Sequence, residues 1–248
     1  MPDTVHSRGS PHRCQLLTGG ARPRVAARLT HLAQPSGARV HHDDHWMPVG
    51  PTAPQEARLD RDLGFVARDV QDELRSWWLV FPTGANTPNW DIASTCLIEE
   101  RRGLLLIEAK AHDRELSTAG KSPPSTPHGR ANDRNIRDAI RQAHDGLNRI
   151  VPGWHLTADR HYPLCNRLAW AWKLAQLGVP VVWVHLGFLD ATEMLDQGQP
   201  FATARMWEEC LRRHAQGIVP ESAWGSRLDV NGTPLWLLVR SLSEQELG

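Results

Sequence analysis

Apolar residues recur every three or four positions from Leu59 to about Arg75, with Leu63, Val66, Val70 and Leu74 on one side, and this spacing predicts a helix. Trp77–Phe81 is a short apolar run that suits a strand, and the stretch after it, Pro82–Asn89 (PTGANTPN), is turn-like. Trp90–Ile98 and Gly103–Ala111 predict two strands joined by the polar stretch Glu99–Arg102. A Ser/Pro/Gly-rich loop, Ser117–Arg130, precedes a helix over about Asn132–Ile150, where Ile136, Ile140, Ala143 and Leu147 share a face. A second helix opens at Pro163, a favoured first-turn residue, and stops at Gly178. Val179–Phe188 reads as a buried strand, Ala202–Gln216 as a helix and Leu235–Ser241 as a late strand. The order α-β-β-β-α-α-β predicts an α/β fold, a mixed central sheet flanked by helices.

Residues 1–57 differ. They are rich in His, Arg, Pro, Gly and Ser, and show little periodicity beyond a short helical stretch at Val25–Leu32. Such a segment buries too little to offset its ordering entropy, so a poorly structured N-terminal tail is expected over 1–57 and a single domain over 58–248. Met47 begins the more ordinary part of the chain and offers an alternative start.

Composition narrows the classes. Of 248 residues, 40% are hydrophobic and 23% charged, which excludes a wholly disordered chain. Basic and acidic residues both number 28, so bulk charge does not hold this protein on nucleic acid, although a local basic groove is compatible with it. The basic residues are almost all arginine, the lysines being Lys110, Lys121 and Lys173. Against that background each retained lysine invites a question. Cys14, Cys96, Cys165 and Cys210 form no paired spacing and suit a reducing compartment. No N-terminal apolar run resembles a signal peptide, and the most apolar stretch, Leu168–Leu189, is interrupted by Lys173, Gln176, Pro180 and His185. A cytoplasmic protein without a membrane span is expected.

The chemistry concentrates in Asn86–Leu116. Asp91 opens one strand, and Glu108 and Lys110 close the next after the apolar run Leu104–Ile107. Alternation along a strand puts Glu108 and Lys110 on one face and Ala109 on the other. If the strands are antiparallel neighbours, Asp91 sits beside Glu108. Two close carboxylates repel and need a cation, and hard oxygen donors suit Mg²⁺, with Mn²⁺ as a substitute. A lysine two residues on can then hold a water or a phosphate oxygen, a combination suited to phosphodiester hydrolysis.

Asp91 followed, after sixteen residues, by Glu108-Ala109-Lys110 on an apolar strand resembles the PD-(D/E)XK, or restriction-endonuclease-like, nuclease superfamily. The order of elements also resembles that superfamily's helix–three strands–helix–strand core, over roughly Leu59 to Phe188. The resemblance implies a Mg²⁺-dependent nuclease acting on DNA (RNA is a variant of the same chemistry) in restriction, repair or defence against mobile DNA, with partner proteins supplying specificity. It implies Asp91, Glu108 and the Ala109 carbonyl as metal ligands and Lys110 as the catalytic lysine. Many members add an acidic residue on the first helix. Asp60, Asp62, Asp69 and Glu73 compete for that role, and Asp62 is favoured because it falls one turn before Val66. No proline directly precedes Asp91; the nearest is Pro88.

Further candidates lie nearby. Arg134, Arg137 and Arg141 form a stripe on the helix from Asn132 that suits a phosphate backbone, and the same stripe suits a solvated face with local ion pairs. Gln142 is on that helix, and some superfamily members use a glutamine near the site. Asn166 and Lys173, seven apart, share one face of an otherwise apolar helix; His112 and Glu115 follow Lys110 closely. Trp170 and Trp172 are expected in the core. His41-His42-Asp43-Asp44-His45 looks like a ligand set but has no matching pair elsewhere and is expected to bind a metal adventitiously or not at all. Gly120-Lys121-Ser122 lacks the earlier glycine of a phosphate-binding loop, since position 115 is Glu. The rival expectation is a nucleic-acid-binding or interaction module of the same fold that does not cleave.

Overall fold

The structure, a computed structural model, describes residues 8–247. Six α-helices and six strands alternate along them: α1 Gly9–Thr18, α2 Arg22–Leu32, β1 Trp46–Met47, α3 Arg68–Trp78, β2 Ile92–Ile98, β3 Arg101–Lys110, α4 Pro127–Ile150, α5 Tyr162–Gln176, β4 Val181–Phe188, α6 Ala204–Ala215, β5 Arg227–Val230 and β6 Thr233–Leu242. The strands form one mixed sheet in the order β1-β2-β3-β4-β6-β5. β1, β2 and β3 are antiparallel neighbours, β3, β4 and β6 run parallel, and β5 returns antiparallel to β6.

The β2–β3 hairpin turns on Glu99 and Glu100, both at positive φ (49° and 58°), the twist a two-residue connection needs. Strand alternation then sorts β3 between two layers. Leu104 and Leu106 face a core built with α3, α4, α5 and α6, including Trp78, Trp170, Trp183 and Trp207. Leu105, Ile107 and Ala109 face a second core on the other side of the sheet. At the head of β3, a Cβ on Gly103 would lie 2.6 Å from the Pro180 carbonyl, so glycine permits the approach to β4.

Three expectations are corrected. The tail is folded over its described part, residues 8–57; residues 1–7 lie outside the described residues. Leu17 of α1 and Val25, Leu29 and Leu32 of α2 are fully buried and supply the second core, which covers the face of the sheet opposite α3–α6. Its few apolar residues suffice because all face one ready surface, and full burial of each stabilises by about 1.5–3 kcal/mol. The segment is also tied down by charge: Arg13, itself buried, meets Glu193 at 2.9 Å and the Leu189 carbonyl at 2.9 Å. A chain starting at Met47 would leave that face uncovered.

The helix predicted from Leu59 begins only at Arg68. Gly64, at φ +95°, lies in the turns before it, and Leu63 is 73% exposed. The strand predicted at Trp77–Phe81 is absent, because Trp78 continues the Val70, Leu74 stripe and ends α3, while Val80 is 53% exposed. The third strand of the meander is instead β1, from before the helix. β5 was not foreseen. Among the described residues no helix is long and apolar enough to cross a membrane, and all four cysteines are free.

Candidate active site

β3 and β4, in parallel, end side by side, with Glu108 opposite His185 and Lys110 opposite Gly187. The carboxyl ends of parallel strands are where α/β sheets expose side chains to a cleft. The β2–β3 register ends at the pair Ile92 with Ile107, and Asp91 stands in a bend just before β2. Asp91 is half-buried, and its Oδ2 accepts from the Ala109 N–H at 2.7 Å. Asp91, Glu108, Ala109 and Lys110 are therefore neighbours, with Asp91 close enough to Glu108 to feel its charge. Gly187 makes room for the Trp207 indole, 2.4 Å from where a Cβ would stand.

Glu108 is the centre of charge. Its Oε1 accepts from Lys110 Nζ at 2.7 Å, and its Oε2 pairs with Arg167 Nε of α5. The three side chains are 8%, 14% and 13% exposed. Burial opposes the Glu108 charge, but Arg167 and then Lys110 outweigh it and hold the carboxylate below its ordinary range. Lys110 is likewise pushed above its usual value: Glu108 and Asp91 overcome the effect of burial. Asp91 moves the other way, to about 7, chiefly through burial and then through repulsion from Glu108.

Around them lies a cavity of about 20 Å³, the space of a single water, lined by Glu108, Lys110, Glu115, Ser117, His185 and His214 among others. His185 is buried, no protein group bonds either ring nitrogen, and desolvation drives its pKa down to about 3. His214 is held down to about 4 by burial, His161 and Lys110. Both are neutral imidazoles at neutral pH. Glu115 ties the strand end to the N-terminal layer: its Oε2 accepts from Ala111 N–H at 2.6 Å and its Oε1 from Ser10 Oγ at 3.0 Å.

The remaining predicted residues are distributed differently. Asp62 lies in the turn before α3, where its Oδ2 accepts from Arg58 N–H at 2.5 Å. Asp60 is buried against Thr87 and Arg75, Asp69 is exposed, and Glu73 pairs with Lys173 at 3.0 Å. Among the described residues, no hydrogen bond or ion pair joins any of these four to Asp91, Glu108 or Lys110. Glu56 accepts from the side-chain amide of Asn89, two residues before Asp91. The Cys14 thiol, pushed up by burial and then by Asp91, also feels Glu56 and Glu108.

Asn166 is adjacent to the site through Arg167, whose Nη1 it accepts at 3.3 Å. Lys173, two turns on, is engaged with Glu73 and stands 5.6 Å above the Trp77 ring. Trp170 is in the core as expected, and Trp172 is packed against it. His112 follows the end of β3, bridges to Pro200 and is buried beneath Gly198. Gln142 accepts from Trp77 Nε1 at 2.9 Å. Arg134 is exposed, Arg137 bonds Asp133 and Asp159, and Arg141 bonds Asp138, so the stripe is a solvated helix face with local ion pairs.

The oxygen donors Asp91, Glu108 and the Ala109 carbonyl have the hard character that Mg²⁺ takes, and Asp91 is the charge least compensated by protein cations. The donors fit such an ion, with Glu108 meanwhile occupied by Lys110 and Arg167. Among the described residues, the trio of His, Cys, Asp or Glu ligand atoms lying within 4.8 Å of one another is His41, His42 and Asp43, all exposed and apart from this site. Sequence reasoning missed Arg167, His185 and His214. Only His185 carried a signal, as a polar break in an apolar strand. Set against protein-family models, curated proteins and solved structures, the chain matches none of them.

Proposed function

We propose that this protein is a Mg²⁺-dependent nuclease of the PD-(D/E)XK type that hydrolyses phosphodiester bonds in DNA, with RNA as the alternative substrate. The observation that carries the reading is the convergence of Asp91, Glu108 and Lys110 where two parallel strands end, with Asp91 held to the Ala109 N–H, Glu108 beside it and a buried ammonium on Glu108. The antiparallel meander followed by helices and a parallel strand supports it, with the departure that β1 precedes α3 rather than following it.

Asp91, Glu108 and the Ala109 carbonyl would hold the ion, which supplies Lewis-acid stabilisation of phosphate charge and a more acidic bound water. The protein's own part follows from its charges. Lys110 is held cationic by Glu108 and Asp91, so it acts as a donor to a phosphate oxygen or a water and not as a base. His214 and His185, both kept neutral, line the same cavity and add no charge to it. Pro163 and Leu164 wall the cavity and limit water.

A second reading, a non-cleaving nucleic-acid-binding or interaction module, is favoured by one observation: Glu108 is already neutralised on both oxygens by Lys110 and Arg167. The deciding experiment incubates plasmid and linear single- and double-stranded DNA with Mg²⁺ or Mn²⁺ and wild type, Lys110→Ala or Asp91→Ala. Cleavage by wild type that both variants lose supports the nuclease. No cleavage, together with no metal binding dependent on Asp91 and Glu108, moves the conclusion to the module.

A further inference from the structure

The guanidinium of Arg167 occupies a position that a metal site would need. We propose that Arg167 is an internal counter-cation: it neutralises Glu108 until a divalent cation takes that carboxylate, and the released guanidinium is then offered to the anionic group of the substrate, a phosphodiester. The inference rests on the nuclease reading above and adds a positioning residue to it.

Three observations lead here. First, Arg167 is the cation on Oε2 of Glu108; Lys110 already satisfies Oε1 at 2.7 Å. The neighbouring carboxylate, Asp91, accepts instead from the Ala109 N–H, so of the two acids it is Glu108 that Arg167 pairs with. Second, Arg167's other anchors are weak. Nη1 meets the Pro163 carbonyl and Asn166 Oδ1, each at 3.3 Å, both on its own helix. Among the described residues, the guanidinium is thus pinned by Glu108 and otherwise hydrogen-bonded within α5. Third, charge balance forces an exchange. With both acids ionised, Asp91 and Glu108 against Lys110 and Arg167 sum to zero, so a divalent ion added without movement would leave two uncompensated positive charges in a buried site. Moving Arg167 off Glu108 frees an oxygen donor and creates a fork suited to a phosphate.

A purely structural ion pair and a counter-cation differ in sign. Removing a structural partner loosens the site and weakens or leaves unchanged the binding of a metal. Removing a competitor strengthens it. The test titrates Mn²⁺ alone into the full-length chain, by calorimetry or by electron paramagnetic resonance, for wild type, Arg167→Gln, Arg167→Lys and Glu108→Gln. The expected result is a dissociation constant about tenfold lower in Arg167→Gln and a smaller decrease in Arg167→Lys, a tenfold change being a modest shift in binding free energy. Retention of duplex DNA with Ca²⁺ in place of Mg²⁺ should weaken several-fold in Arg167→Gln. Should Arg167→Gln fail to fold, Arg167→Lys gives the same sign on a smaller scale. Unchanged or weaker Mn²⁺ binding in the Arg167 variants, with binding still lost in Glu108→Gln, overturns the counter-cation and leaves the nuclease reading intact. Tighter Mn²⁺ binding with unchanged duplex retention overturns the substrate half. Mn²⁺ binding indifferent to Glu108→Gln overturns both readings.

Discussion

Arg167 on α5 reaches the carboxylate of Glu108 from the side opposite Lys110, so one buried anion is shared by cations from a helix and a strand. Removing the anion is the most disruptive single change here, because it leaves two cations facing each other out of water. Glu108→Gln is expected to lower stability by about 3–5 kcal/mol, measured by urea denaturation at neutral pH. A loss below about 1 kcal/mol would mean that the cluster is as well solvated as a surface pair.

Asp91 makes stability depend on pH in the opposite sense from an ordinary salt-bridged carboxylate. The unfolded chain releases this proton near 3.8, whereas the folded chain keeps it until about 7. Folding is thus penalised progressively as pH rises through that window. Asp91→Asn should melt with wild type at pH 4 and above it at pH 8, by roughly 2–4 °C, the response to about 1 kcal/mol in a chain of this length. A variant that melts lower at both pH values would show that the Ala109 N–H contact outweighs the charge.

His185 works the other way. The unfolded chain binds a proton at this residue near 6.5 and the folded chain only near 3, so acid favours unfolding between those values. His185→Phe, whose ring suits the surrounding Trp183 and Trp224, is expected to flatten the acid limb of the stability–pH curve. Thermal melts at pH 4 and pH 7 measure this, and an unchanged difference between the two would assign the acid sensitivity elsewhere.

The N-terminal layer gives a paired test. Leu29 is fully buried against the sheet, while Leu16, on the neighbouring helix, is 39% exposed. Leu29→Ala should cost about 2–5 kcal/mol. Leu16→Ala should stay within about 0.5 kcal/mol. Chemical denaturation of both distinguishes a packed layer from a loosely attached one.

The hairpin and the Asp91, Glu108, Lys110 grouping were legible because strand alternation is a local rule and the turn between the strands is short. The three retained lysines also repaid attention, since each is itself sheltered and ion-paired, with Glu108, Asp133 and Glu73 respectively. Arg167 was not legible. In a chain whose basic residues are nearly all arginine, one more arginine on a helix carries no signal, and its contact with β3 is set by how α5 packs. The folded N-terminal layer was missed for a related reason: Leu17, Val25, Leu29 and Leu32 are too few to make a core among themselves and become buried only against a surface supplied by later residues. β5 could have been found, because Asn231-Gly232, both at positive φ, is the strongest short hairpin signal.

That dependence has a consequence for how the protein is made. α1 is fastened to residues 189–196 by Arg8 and Arg13, contacts spanning some 180 positions of the chain. At about 5–20 residues per second of synthesis, α1 and α2 emerge roughly 10–40 s before the groups that hold them exist. Their leucines share a core with residues 92–111 and 182–191, so they stay only partly covered until the second group has emerged. A nascent chain of this protein is therefore expected to be a client for chaperones that shelter early apolar helices, and arrest during synthesis would leave behind a fragment prone to aggregate.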